Sequence, residues 1–296
     1  MPTVPTLKLN NGVEMPSLGL GVFLSPPEQT AGAVQTAIEA GYRLVDTAAA
    51  YMNERAVGEG LRASGLDRSE VFVTTKLWVS QYGYDEAMRG FDSSLERLGL
   101  EQLDLYLLHW PVPTDFAKTV EAYRAAEKLL AEGRVRAIGV SNFSPEHLDR
   151  LAAETSVAPA VNQVELHPFF AQPQVRAADK RRGIITQAWS PIGGVYNRKP
   201  GGPQSSPLEH PDVLAIAERH GKTPAQVVLR WHLDHGFAVI PKSVRAERIR
   251  ENIDVFDFAL EADEIARIDA LDTGVRAGSD PEVVHAGSFA VDIDAQ

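Results

Sequence analysis

Three short apolar runs end on residues that can carry charge or move a proton. "YRLVDT" (42–47) carries Asp46, "VFVTTK" (71–76) ends on Lys76, and "LDLYLLH" (103–109) ends on His109. Tyr51 follows Asp46 by five residues. Each has a structural reading when taken alone. Asp46 can cap a turn, Lys76 can be a solvated rim cation, His109 can be a satisfied core histidine, and Tyr51 can simply pack. Together they form a proton-transfer set. A free tyrosine ionises near pH ~10 and a lysine near ~10.4, so neither is tuned for neutral pH. A lysine cation against the Tyr51 hydroxyl makes the phenolate easier to form, so that Tyr51 can give up a proton at neutrality. Asp46 would keep Lys76 charged in a partly dry site. His109 could hydrogen-bond to a substrate oxygen and orient it. Such a set protonates an oxygen as a carbonyl is reduced.

The elements that must position these residues recur along the chain. Besides the three runs above, β-rich stretches fall at 136–141 ("RAIGVS"), 160–165 ("AVNQVE"), 184–189 ("IITQAW"), 237–242 ("FAVIPK") and 255–258 ("VFDF"). Most are continuous apolar runs, as expected of strands buried on both faces. Between them lie helical stretches such as Glu28–Ala40, Glu54–Ser64, Asp85–Leu98 and Val120–Glu132. "SPEHL" (144–148) and "TPAQVVLRW" (223–231) read as helix starts with proline at the first helical position. Eight β/α alternations predict an α/β fold, a (β/α)8 TIM barrel formed as one domain over residues 1–296, ahead of a doubly wound open sheet. In a barrel, chemistry sits at the C-terminal ends of the strands, where Asp46, Lys76 and His109 fall on three consecutive ones. The two runs around Asn11-Gly12 predict an N-terminal β-hairpin. The Gly-, Pro- and Ser-rich stretch 193–207 reads as an active-site loop. The tail from Arg276 onward is expected as a C-terminal loop over the barrel mouth.

Composition bounds the function. The net charge of −11 and pI of about 5.2 speak against a general nucleic-acid or anionic-membrane binder. The absence of cysteine removes disulfides, thiolate nucleophiles and cysteine-ligated metals. With no signal peptide or membrane-length apolar run in view, a cytoplasmic protein is expected, and we expect a monomer.

The sequence closely resembles the aldo-keto reductase family. The resemblance rests on "GYRLVDTAAAYMNE" (41–54), Lys76 in "VTTKLW", His109 in "LLHWP", "IGVSNF" (138–143), "VNQVELHP" (161–168), "AWSPIG" (188–193) and "VIPKSV…ERIRENIDVFDF" (239–258). It implies a (β/α)8 barrel and hydride transfer from NADPH to aldehydes and ketones. Asp46, Tyr51, Lys76 and His109 match the family's catalytic tetrad. Ser141, Asn142 and Gln163 match positions that hold the nicotinamide carboxamide, and Trp189 the aromatic on which that ring stacks. Gly21, Val22, Ser190, Pro191, Ile192 and Gly193 fall in the same implied cofactor groove, with Asp46 at its base. Lys242, Ser243, Val244, Arg248, Glu251 and Asn252 match the adenosine end, where cations face the 2′-phosphate. The residues support this independently, because "KSVRAERIR" concentrates four cations in an acidic protein. The competing reading is a solvated helix face balanced by Glu247 and Glu251. Phe23, Tyr51, Trp78, His109 and Trp110 fall at substrate-pocket positions. Tryptophan at 189, where many members have tyrosine, is similar to the bacterial branch that includes 2,5-diketo-D-gluconate reductases. It points to small sugar-derived or dicarbonyl substrates. Val22 stands where a threonine is frequent.

Four rival readings remain to be weighed. "GEGLRA" (58–63) satisfies G-x-G-x-x-A, but within a helical run rather than between strand and helix. No tyrosine is followed four residues later by lysine, so the short-chain reductase arrangement is absent. A barrel hydrolase would use two acids such as Asp46 and Glu165, and a metal enzyme could start from His232 and His235. A cofactor-binding sensor without catalysis belongs to a different class altogether.

Overall fold

The computed structural model describes residues 4–193, 206–289 and 291–295. It opens with an antiparallel hairpin of β1 (Thr6–Lys8) and β2 (Glu14–Pro16), paired with Leu7 opposite Met15. Gly12 turns the chain at φ 87°, a conformation glycine adopts without a Cβ penalty.

Eight parallel strands follow in one sheet: β3 (Leu20–Gly21), β4 (Leu44–Asp46), β5 (Phe72–Leu77), β6 (Leu103–Leu108), β7 (Val135–Ser141), β8 (Val161–Glu165), β9 (Ile185–Trp189) and β10 (Ala238–Val239). Each pairs with the next in sequence. The first and last close on each other through Gly19 N–H to Val239 O at 2.9 Å, Val239 N–H to Ser17 O at 2.9 Å and Gly21 N–H to Pro241 O at 3.1 Å. A Cβ on Gly21 would lie 2.6 Å from Ile240 O, so this seam requires glycine. The sheet is thus a (β/α)8 barrel.

The helices are α1 (Pro27–Ala40), α2 (Glu54–Ala63), α3 (Tyr84–Leu98), α4 (Phe116–Ala131), α5 (Pro145–Glu154), α6 (Pro173–Arg181), α7 (Pro211–His220), α8 (Pro224–Asp234), α9 (Ala246–Ile253) and α10 (Ala262–Asp269). The caps read from sequence are present. Ser144 accepts from His147 N–H, and Thr223 from Gln226 N–H, each followed by proline. The glycines of "GEGLRA" let α2 pack closely against α3 and α1. A Cβ on Gly58 would strike Leu98 O, and one on Gly60 would lie 2.5 Å from Ala31 O.

Strand residues alternate between two cores. Leu44, Phe72, Leu105, Leu107, Ala137, Val161 and Ala238 fill the lumen, and Leu9 and Met15 of the hairpin join them to plug the N-terminal end. Val45, Val73, Tyr106, Leu108, Val140 and Val164 face the helices and build the larger outer core.

One strand assignment needs correction. Residues 255–258 form no strand; the eighth place is taken by Leu20–Gly21, at the other end of the chain. Two residues, one of them glycine, leave little apolar run to read. "VFDF" is apolar because it packs on the outside: Val255 is buried, and Phe258 lies 5.3 Å from the His220 ring. Most of the 193–207 loop, from 194 to 205, lies outside the described residues.

The tail does cross the C-terminal mouth. Ala277 and Gly278 donate to the Glu165 carboxylate, and Phe289 packs on Trp78 and Trp110 with ring centroids at 5.4 and 5.8 Å.

Candidate active site

Inward-facing positions at the strand ends converge on one buried cluster. Asp46 ends β4, and Lys76 lies on β5, one step short of its end. Both side chains are fully buried. Lys76 Nζ donates to Asp46 Oδ1 at 2.6 Å, to Thr47 O at 2.8 Å and to Tyr51 Oη at 3.3 Å. Tyr51 reaches this position on a single 3-10 turn, Ala49–Tyr51, ended by Met52 at φ 58°. The turn is held by Asn53, whose Oδ1 accepts from Thr47 Oγ1 at 2.9 Å. Its Nδ2 donates to Val22 O at 2.9 Å and Ser25 O at 3.2 Å. His109 follows β6, with its ring centroid 5.6 Å from Tyr51 and 5.1 Å from Trp78. Its Nδ1 is buried and bonded to no described residue.

The charges follow from burial and neighbours. Burial works to lower Lys76, but Asp46 and then Tyr51 more than offset it and hold the ammonium above its ordinary value. Burial lifts Asp46 against the pull of Lys76 and the Gln163 hydrogen bond. Burial also lifts Tyr51 above its ordinary value. Lys76 pulls it down, as read from sequence, but does not outweigh the loss of water. The correction is one of balance: Tyr51 is firmly protonated, as a proton donor must be, and Lys76 limits the cost of its ionisation. Burial, and secondarily Lys76, hold His109 well below the usual histidine range, so its imidazole is neutral at pH 7.

The residues expected from the resemblance at the nicotinamide end lie beside this cluster. Gln163 Nε2 donates to Asp46 Oδ2 at 2.7 Å and to Gln187 Oε1 at 2.8 Å. Asn142, at φ 67°, donates to His109 O at 3.0 Å and to Ser141 Oγ at 3.1 Å. It accepts from Trp189 Nε1 at 2.9 Å, and Ser141 Oγ donates to Gln163 O at 2.7 Å. This leaves Gln163 Oε1 without a hydrogen bond among the described residues. A free acceptor beside the half-exposed Trp189 ring suits a primary amide with an aromatic ring, so the donor set fits a nicotinamide. Ser190 turns at φ 49° and leads through Pro191 and Ile192 to Gly193 at φ 85°.

Gly21 and Val22 lie on and just after β3. Val22 is fully buried in the outer core, and its N–H donates to Asp46 O at 3.1 Å. At the far end of the groove, Lys242 and Ser243 follow β10, with Val244 next to them. Arg248, Glu251 and Asn252 lie on α9. The balanced-face reading fails here. Glu251 accepts from Thr223 Oγ1 at 2.7 Å, and Lys242, Arg245, Arg248 and Arg250 have no acidic partner among the described residues. Cations left without partners suit a phosphate.

Phe23 is 49% exposed at the rim with its ring 5.0 Å from Tyr51, while Trp78 and Trp110 flank His109. The mouth is aromatic, as expected. Two contributors were missed. Gln187 lies two residues before Trp189 on an inward position, which period-two counting along β9 could have found. Phe289 sits in a tail without periodicity and left no signal. Two rivals also lose ground. Glu165 is engaged by the tail, and burial's upward push on it is outweighed by His167 and the tail N–H groups, so it sits below the usual carboxylate range, unsuited to act as an acid. His232 bonds Pro191 O at 2.9 Å and His235 bonds Asp269 at 2.8 Å, so the two do not share a ligand.

Comparison with known proteins agrees with fold and geometry. The model of the aldo/keto reductase family matches residues 17–273, and the chain belongs to that family of oxidoreductases. It is 56% identical over 289 residues to morphine 6-dehydrogenase of Pseudomonas putida, covering 97% of each chain. It is 45% identical to methylglyoxal reductase DkgA of Escherichia coli over 95% of this chain and 98% of that one. Among solved structures, an aldo-keto reductase of Bombyx mori in complex with NADP superposes with a TM-score of 0.87 at 34% identity. It covers 94% of this chain and 96% of that chain.

Proposed function

We propose that this chain reduces aldehyde and ketone carbonyls with NADPH, with Tyr51 as the general acid. The observation that carries the reading is the buried sequence Asp46–Lys76–Tyr51, with contacts of 2.6 and 3.3 Å, ending in a hydroxyl at an aromatic mouth. NADPH, when bound, supplies the hydride. Trp189, Ser141, Asn142 and Gln163 would hold its nicotinamide, and Lys242, Ser243, Arg248 and Asn252 its 2′-phosphate end. His109, neutral, would hydrogen-bond the substrate oxygen through Nε2, the ring nitrogen that is not buried, and align it with Tyr51. Tyr51 gives that oxygen its proton, and Lys76, kept charged by Asp46, stabilises the phenolate left behind. The aromatic walls exclude water.

Small sugar-derived and dicarbonyl compounds are the proposed substrates, with 2,5-diketo-D-gluconate among them. The names of two relatives, a methylglyoxal reductase and a glyoxal reductase, support the dicarbonyl part. A second reading, a ring-bearing ketone or alcohol, is favoured by the aromatic walls Trp78, Trp110 and Phe289 and by the morphine 6-dehydrogenase relative. The reading includes a single-domain cytoplasmic monomer.

The test is NADPH oxidation followed by absorbance over methylglyoxal, diketogluconate, a simple aldose and an aromatic aldehyde, with NADH alongside. Turnover should favour NADPH, and Tyr51→Phe should lower it by roughly 10³-fold, a typical share for a general acid, while NADPH still binds. Tight NADPH binding with no turnover of any carbonyl by the unaltered protein would instead indicate a non-catalytic cofactor sensor.

A further inference from the structure

The carboxylate that ends β8 does more than fill space. Glu165 is fully buried at the mouth, two positions beyond Gln163 on the same inward face. Its Oε1 accepts from Ala277 N–H at 2.7 Å and its Oε2 from Gly278 N–H at 2.8 Å, so two consecutive tail amides seat on one carboxylate. His167 Nε2 lies 3.1 Å away on the same oxygen as Ala277, and Arg276 Nη1 is 3.8 Å from the other. The seat is steric as well as polar. A Cβ on Gly278 would lie 2.5 Å from Trp189 Cη2 and 2.7 Å from Glu165 Oε2, so the tail backbone presses directly on the tryptophan edge. Just beyond, a cavity of about 90 Å³ separates the tail from the barrel, bordered by Asn142, Val164, Gln172, Arg276, Asp280 and Glu282. Around that cavity the stretch is held by polar and apolar contacts together: Ala277 and Val284 are buried, Arg276 lies 4.7 Å over the Phe170 ring, and Glu282 is 3.5 Å from His147. Further on, Phe289 closes the aromatic pocket against Trp78 and Trp110.

We propose that Glu165 is a positioning residue: it clamps residues 277–278 across the mouth, and so backs Trp189 and sets where Phe289 meets the substrate. The part concerning substrate rests on the reductase reading; the clamp itself does not. Glu165 touches no reacting atom. It acts by fixing a wall, so its removal should alter which carbonyls bind more than how fast a bound one reacts.

Glu165→Gln tests this directly, because it replaces one acceptor oxygen with an NH2 that faces an amide donor. Two readouts apply. Tryptic cleavage after Arg276, in unliganded protein, should quicken by about tenfold or more, the scale of one lost charge-assisted hydrogen bond. KM for the aromatic aldehyde should rise by about tenfold with kcat held within about twofold, while methylglyoxal, too small to reach Phe289, changes little. Gly278→Ala, which attacks the seat from the tail side, should reproduce both effects and serves if Glu165→Gln does not fold. Unchanged cleavage in both variants would overturn the clamp. So would an equal loss of kcat on both substrates, which would mark Glu165 as merely structural. If the unaltered protein turns over no carbonyl, the cleavage readout still decides the clamp, and only the reductase reading falls.

Discussion

Two buried ion pairs stand back to back across strand β5. Lys76 points into the barrel and meets Asp46 at 2.6 Å; Thr75, its neighbour, points outward and donates to Glu54, which Arg97 also meets at 2.6 Å. All four charged side chains are at least nine-tenths buried. The outer pair is saturated: Thr75 and Ser94 both donate to the Glu54 carboxylate, and the group ties α2 to α3 and to the sheet. The inner pair is left open. Its ammonium has two more contacts, Thr47 O at 2.8 Å and Tyr51 Oη at 3.3 Å, and the tyrosine hydroxyl lies at the mouth beside a neutral imidazole. The desolvation cost is similar in kind, but the outcomes differ. A buried pair whose partners satisfy it becomes a tie between elements; one that leaves a titratable neighbour at an opening can drive proton transfer.

Removing one partner from each pair should sharpen the contrast most. Lys76→Met and Arg97→Met each strand a buried carboxylate and should each cost about 3–5 kcal/mol in denaturant unfolding. Only Lys76→Met should also cut turnover in the folded fraction by more than about 10²-fold. It should also move the alkaline limb of the pH–rate profile upward, since Tyr51 loses the cation that opposes its rise. Removing both partners separates the two roles. Glu54→Gln with Arg97→Met should regain stability with turnover unaltered throughout, whereas Asp46→Asn with Lys76→Met should regain stability while turnover stays low. Equal kinetic losses from the two single variants would break the distinction.

The exposed cations of α9 give a third case, charge that is neither buried nor paired. Arg248→Ala should leave stability unchanged and raise KM for NADPH by about tenfold, with NADH little affected. The effect should shrink at high salt, because the site is open to solvent. A change of the same size with NADH would remove the 2′-phosphate from the proposal.

The inner pair was legible in the sequence because strand-end positions in a barrel are forced to one rim, and Asp46, Lys76 and His109 sit where apolar runs stop. The helices were legible from spacing and caps: α1 to α4 fall within a few residues of their expected bounds. What escaped reading was set by tertiary contact. The first barrel strand is two residues long, too short for any pattern, and its place was taken on paper by "VFDF", apolar for packing against helices. Glu165 could be named as an acid, but nothing local says that a segment over a hundred residues later seats on it. Tyr51's balance needed its burial, which no residue type reveals. Phe289 lies in a tail where neither period nor propensity operates.

The smallest effect concerns two buried imidazoles, one in each region. His109 faces the mouth, and His232 sits on α8 behind the barrel, bonded to Pro191 O. Burial holds His109 well below 6.5 and takes His232 down to about 3. Unfolding exposes both to water, where each takes up a proton below about 6.5. The unfolded chain then binds more protons than the folded one. Stability contributed by these groups is therefore present above pH 6.5 and lost as pH falls toward their depressed values. Each should add about 1.4 kcal/mol per pH unit to the slope of unfolding free energy between roughly pH 6 and 5. His232→Asn should flatten that slope by one such increment with no effect on catalysis. Lys76→Met should also flatten it, because part of the depression at His109 comes from Lys76, while the share from His232 stays. If Lys76→Met left the acid slope unaltered, the lysine's field would not reach the imidazole, and the mouth would be tuned by burial alone.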